Sequence, residues 1–269
     1  MASVRPAAIA GMFYPGKPDE LARIVDAMLA AATPASAVPV PKAIIAPHAG
    51  FIYSGPVAAS IYALLVPARA RIKRVVLLGP THRVAIHGMA LPGVDAFATP
   101  LGNIAIDAES VKKLMALPYV GASTEAHRLE HSLEVHLPFL QKVIDQFTLL
   151  PLAVGGATAQ QVAAVLDLIW GGDETLIVIS SDMSHYLPYA DAQATDRATA
   201  QAILNLRTDI DHHQACGATP VIGLNLIAQQ RGLKPQLIDL RNSGDTAGDK
   251  TRVVGYGSFA FYEQSSLAH

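Results

Sequence analysis

The chain has 269 residues, 51% hydrophobic and 16% charged, enough apolar sequence for a sizeable core and too little charge for a disordered chain. With 20 Lys+Arg against 22 Asp+Glu the net charge is −2, so the basic excess that marks a nucleic-acid partner is missing. A single cysteine, Cys216, excludes an internal disulfide framework and fits a reducing cytoplasm.

No apolar run is expected to reach membrane-spanning length: the stretch from Leu21 to Val40 is broken by Asp26, Pro34 and Pro39. The opening Met-Ala-Ser-Val-Arg-Pro carries no apolar secretory stretch. Val38 to Pro41 reads as a short linker after an N-terminal segment, 1–41, that packs on the main fold. Ala43-Ile44-Ile45-Ala46 reads as a buried strand. Ser54 is placed as the cap of a helix with Pro56 in its first turn and Val57, Ile61, Leu64 and Leu65 on its buried face. Val75-Val76-Leu77-Leu78 is the next buried strand, and Met89 to Ile106, rich in turn residues, reads as a hairpin. Leu149 to Val154 is a further strand. Ala159 to Trp170 is helical, stopped by Gly171-Gly172. Leu176-Ile177-Val178-Ile179 is a strand, followed by an Ala-rich helix around Ala192 to Leu206, a helix over Pro220 to Gln230, and a terminal strand from Val253 to Tyr262. Strands apolar on both faces, separated by helices, predict one α/β domain over the whole length, with a mainly parallel sheet covered by helices on both sides.

In such sheets ligands bind beyond the carboxyl ends of the strands. Three predicted strands end in polar residues: Ala46-Pro47-His48-Ala49-Gly50, Gly79-Pro80-Thr81-His82 and Ser180-Ser181-Asp182-Met183-Ser184-His185. Parallel strands would bring His48, His82, Asp182 and His185 to one edge, and neutral imidazole suits Zn, Cu, Fe and Ni. Cys216 precedes Gly217, which leaves room for close backbone approach, and a helix whose N-terminal dipole favours a thiolate. A thiolate beside two imidazoles makes a mixed nitrogen and sulfur metal site.

Other spellings weigh less. His127-Arg128-Leu129-Glu130-His131 matches the H-x-x-E-H of one metallopeptidase group, which needs both histidines on one helix face. Leu133, Leu137 and Leu140 stand at helical spacing, so an ordinary packed helix kinked at Pro138 is the plainer reading of this segment. His212-His213 read as solvated. Gly244 to Lys250 is glycine-rich without the P-loop spacing and reads as a polar turn or lid.

Taken together, several ordered motifs resemble the Memo family, also called AmmeMemoRadiSam system protein B. They are Ala10 to Pro15, Ala46 to Gly55, Gly79 to His82, Glu130 to Phe139, Ser180 to Tyr186, Cys216-Gly217 and Asn242 to Lys250. The resemblance implies a fold similar to class III extradiol dioxygenases, with His48, His82 and Cys216 at the metal, Asp182 and His185 beside it, and Phe13 and Tyr53 lining the cleft. It implies iron(II) or copper, and a functional association with a radical-SAM protein and an AmmeMemoRadiSam A-type protein. Where the dioxygenases carry a carboxylate ligand this chain places a cysteine, which changes metal preference and redox potential. The leading expectation is a redox enzyme or oxygenase on a small organic substrate, with His185 as acid/base held by Asp182. A zinc hydrolase on the same ligands and a non-catalytic module binding a peptide or small ligand are the alternatives.

Overall fold

The computed structural model describes residues 2–32 and 39–263, so Val38 of the expected linker lies outside the described residues. In chain order the strands are β1 (Val4–Arg5), β2 (Ala43–Ala46), β3 (Arg74–Pro80), β4 (Met89–Leu91), β5 (Ala96–Thr99), β6 (Gly102–Ala105), β7 (Val120–Ala122), β8 (Thr148–Val154), β9 (Thr175–Ser180), β10 (His185–Leu187), β11 (Lys234–Asn242) and β12 (Val253–Tyr262). The α-helices are α1 (Pro18–Ala32), α2 (Phe51–Tyr62), α3 (Ala108–Leu114), α4 (Thr124–Arg128), α5 (Leu137–Val143), α6 (Ala159–Leu168), α7 (Tyr189–Leu204) and α8 (Ala218–Arg231).

Four parallel strands in the order β2-β9-β3-β8 form the centre of a nine-stranded sheet. The sheet is mixed beyond them. β12 runs antiparallel to β2 and carries β10 and β11, and β4 pairs antiparallel with β8 and parallel with β7. Consecutive residues of the central strands enter different cores. Ile44, Val75, Leu77 and Val178 pack with Leu21 and Val25 of α1, Ile61 and Tyr62 of α2 and Leu140 of α5. Ile45, Val76, Leu78, Ile177 and Ile179 pack with Val162 and Val165 of α6 and Val221 and Leu224 of α8. The period of two in a strand puts neighbours on opposite faces, so both faces must be apolar.

Several local expectations change. Ser54 does not cap α2: Gly50 occupies the cap position and Ser54 lies inside the helix, its hydroxyl donating to the Ala49 carbonyl. The expected hairpin from Met89 divides, with β5 and β6 pairing in a separate three-stranded sheet with β1 while β4 joins the main sheet. The Glu130 segment is not a kinked helix. Residues 130–133 are non-helical, Glu134–His136 form a 3-10 turn, and Pro138 sits in the first turn of α5, where its missing N–H costs nothing. One apolar run does reach the length that the sequence was not expected to supply. Phe51–Ala68, 18 residues, has the length and hydropathy of a membrane span, yet 67% of it is buried inside the fold as a core helix.

Four residues near the start of the chain bond to one carboxylate. Glu134, fully buried, accepts from Arg5 Nη1 at 2.5 Å, from the Ala8 and Ile9 amides at 2.8 and 3.1 Å, and from the Tyr14 hydroxyl at 2.6 Å. Arg5 also donates to the His127 and Glu130 carbonyls. Removing one member of a buried ion pair strands the other charge. Glu134→Gln is therefore expected to lower unfolding free energy by about 3 kcal/mol or more, read from urea unfolding; a loss under about 1 kcal/mol would show that Glu134 does not anchor the segment.

Candidate metal centre

The parallel strands deliver what their ends promise. β2 runs into His48, β3 into His82 and β9 into Asp182, all at one edge of the sheet. A third imidazole arrives from elsewhere. His131 belongs to the non-helical strap before α5, and the ligand nitrogens of His48, His82 and His131 lie within 4.8 Å of one another. The His82 and His131 rings stack with centroids 4.5 Å apart, and His48 stands edge-on to both at 5.2 and 5.5 Å.

The strap is held over the strand ends by its polar groups. The Ser132 hydroxyl donates to the Pro80 carbonyl at 2.8 Å, and the Ser132 carbonyl accepts from Ser180 Oγ at 2.6 Å. This approach needs a glycine in β3: a Cβ on Gly79 would sit 2.9 Å from both Ser132 Oγ and Leu133 Cδ2. Glu130 then accepts from the His82 amide at 2.6 Å, from His82 Nδ1 at 2.9 Å, and from the His131 and Ser132 amides at 3.0 Å each. Burial opposes its charge, but the bonds from His82 and Ser132 outweigh that and bring its pKa down to about 2.

These bonds settle two tautomers. Ser180 Oγ spends its proton on the Ser132 carbonyl, so His48 Nδ1, 2.6 Å away, must donate to it. His82 Nδ1 likewise donates to the Glu130 carboxylate. Both rings keep a bare Nε2, the form that binds a cation, with the other nitrogen fixed by an outer partner.

Asp182 accepts the His48 amide on Oδ1 at 2.7 Å, and its Oδ2 lies 4.0 Å from His48 Nε2. Burial pushes this carboxyl up to about 7. The expected Asp182–His185 partnership is not formed. His185 begins β10, so no helical turn joins the two, and its Nδ1 donates to the Met183 carbonyl at 2.8 Å, leaving Nε2 bare.

Cys216 stands outside the three-histidine convergence but touches it: Sγ is 3.3 Å from His48 Nε2. Gly217 allows this, because a Cβ there would come 2.6 Å from the Ser180 carbonyl. The expectation of a dipole-favoured thiolate is reversed, since burial and the neighbouring Asp182 push the thiol up to about 12. His127 also departs from its spelling. It lies in α4, donates from Nε2 to the Ala90 carbonyl at 2.8 Å, and shares no helix face with His131. His212 and His213 are exposed, as expected.

A cleft of about 460 Å³ opens beside the triad. Phe13 and Tyr53 line it, as do His131, Asp182 and His185. Ser243 and, from the glycine-rich segment, Gly248 and Asp249 supply a wall. The Phe13 ring lies 5.0 Å from that of His131.

Fold and site together define an α/β protein with a candidate three-histidine metal site in a cleft at the strand ends. The chain belongs to the Memo-like protein family, whose family model spans residues 5–260. A MEMO1 family protein of Aquifex aeolicus is 37% identical, over 96% of this chain and 99% of its own. One from Archaeoglobus fulgidus is 32% identical, over 94% and 97%. A solved structure of an uncharacterized protein from Escherichia coli K12 shares 13% identity with a TM-score of 0.48, over 82% of this chain and 99% of its own.

Two outcomes are expected here. Glu130→Gln keeps the shape but loses the charge that fixes His82, and should weaken metal affinity by about 10-fold or more in competition with a chelating dye; unchanged affinity would contradict the orienting role. The second concerns acid. Burial lowers His127 and His131 to about 4 and His136 to about 3, and also lowers His48 and His185. Below the ordinary imidazole pKa near 6.5 the unfolded chain takes up protons that the folded chain refuses. Each fully buried imidazole then costs about 1.4 kcal/mol per pH unit until its folded pKa is reached. Asp182 and Asp196, raised by burial, act in the opposite sense but are fewer. The Tm of metal-free protein should therefore be lower at pH 5 than at pH 7; a Tm that rises on acidification would overturn this sign.

Proposed function

We propose that the cleft carries out a metal-dependent redox reaction of the oxygenase type on a small organic molecule. The observation that supports this reading most is the convergence of three imidazole nitrogens within 4.8 Å beside a cleft of about 460 Å³. That volume lies in the range of small-molecule sites. His48, His82 and His131 would hold the ion, with Cys216 a further ligand. The donor set fits: two bare Nε2 atoms are fixed by Ser180 and Glu130, and the Cys216 sulfur lies 3.3 Å from the Nε2 of His48. Iron(II) or copper bound there supplies one-electron chemistry with O₂.

The protein's own groups do the rest. His185 is the proton carrier, because its bare Nε2 belongs to a ring that lines the cleft. Asp182 accepts the His48 amide and so positions that ligand. Phe13 and Tyr53 seat the apolar body of the substrate and exclude water. Zinc suits the same imidazoles, and a hydrolase with His185 as base is the second reading, favoured by this donor set alone. A reducing cytoplasm, and the association with a radical-SAM protein and an AmmeMemoRadiSam A-type protein, belong to the same proposal.

Elemental analysis of protein purified without oxygen tests it. Wild type should carry near-stoichiometric iron or copper, and His131→Ala should lose about 10-fold or more of it. Loss in Cys216→Ser as well would make the thiol a ligand. Zinc alone would turn the reading to hydrolysis. No metal even after reconstitution would leave a binding module.

A further inference from the structure

The cleft carries one unpaired cation. Arg252 lines it, and its guanidinium carbon lies 5.0 Å from the centroid of the Tyr186 ring. Among the described residues no carboxylate is paired with that guanidinium. The acid of the same wall, Asp249, accepts instead from the Thr251 amide at 2.7 Å and the Thr251 hydroxyl at 2.5 Å.

The aromatic platform under Arg252 is a built feature. Tyr186 has φ 59°, the left-handed region that a bulky side chain adopts only at a cost of about 1 kcal/mol or more. The cause is a bulge: His185 pairs with Val254 and Leu187 with Val253, so Tyr186 is the extra residue between them. The bulge leaves Tyr186 61% exposed at the cleft, its ring next to that of His185. A guanidinium stacked on a ring keeps its planar fork of N–H donors oriented, and such a fork matches a carboxylate with two parallel bonds.

We infer that the substrate of the cleft is a small carboxylic acid, its carboxylate paired with Arg252 over Tyr186 and its apolar body between Phe13 and Tyr53. Its other end then reaches His131 and His185. The assignment rests on the reading of this cleft as a substrate site. A carboxylate fits better than a phosphate dianion, because Arg252 is the one Lys or Arg among the lining residues and Asp249 stands in the same wall. The bound carboxylate brings one charge to one guanidinium.

Binding of benzoate, benzamide and phenyl phosphate, measured by calorimetry on protein as purified and after metal removal, tests this. Benzoate should bind about tenfold or more tighter than its neutral isostere benzamide, with or without metal, and tighter than phenyl phosphate. Arg252→Gln should abolish the preference and Arg252→Lys should keep part of it. Equal binding of benzoate and benzamide, no benzoate binding, a preference that survives in Arg252→Gln, or one that disappears with the metal would overturn the inference. Tighter binding of phenyl phosphate would overturn the choice of carboxylate. Wild type without metal but with an Arg252-dependent preference would sink the redox reading and leave this one standing.

Discussion

The site depends on the Glu130 carboxylate, a buried charge that accepts four N–H groups, from the His82, His131 and Ser132 backbone and the His82 ring. A charge in that position is costly unless every lone pair finds a donor. Here the donors are the groups that must be placed: the amide and ring of one candidate ligand and the amide of the next. Four residues on, Glu134 does a different job with the same chemistry. Its donors come from Arg5, Ala8, Ile9 and Tyr14, so it fixes the N-terminal segment that brings Phe13 against His131.

The strap from Glu130 to His136 therefore reaches all three imidazoles. His82 is oriented by Glu130, and His131 belongs to the strap. His48 is oriented through Ser180, whose proton is committed to the Ser132 carbonyl. A chain of hydrogen bonds inside a low-dielectric fold sets the ring nitrogens of His48 and His82 as donor or acceptor before any ion arrives. The parallel strands supply the other half of the arrangement by ending at the same edge. Burial then keeps His48 and His131 neutral well below pH 6.5, which is the state a cation requires.

Much of this was legible in the residues. Runs such as Ile44-Ile45 and Val75-Val76 gave strands buried on both faces, and polar residues after them put His48, His82 and Asp182 on one edge. His131 was missed because Leu133, Leu137 and Leu140 mimic a helix that in fact starts only after the 3-10 turn. The signal present was the polar cluster Glu130-His131-Ser132 directly before that apolar spacing. Its partners, Pro80 and Ser180, are about 50 positions away in sequence, beyond any local pattern. The Cys216 thiol was misjudged for a related reason: a helix dipole is visible in sequence, whereas burial beside Asp182 is a property of the assembled fold. The bulge at Tyr186 is equally non-local, arising from the pairing of β10 with β12.

The most direct measurement is anomalous diffraction, at the absorption edge of the resident metal, from crystals of loaded protein. One strong peak bonded to Nε2 of His48, Nε2 of His82 and a ring nitrogen of His131, with Glu130 still on His82 Nδ1, is the result this account predicts. A peak bound elsewhere in the fold, or one that engages His48 and Cys216 while His82 and His131 stay apart from it, would contradict it.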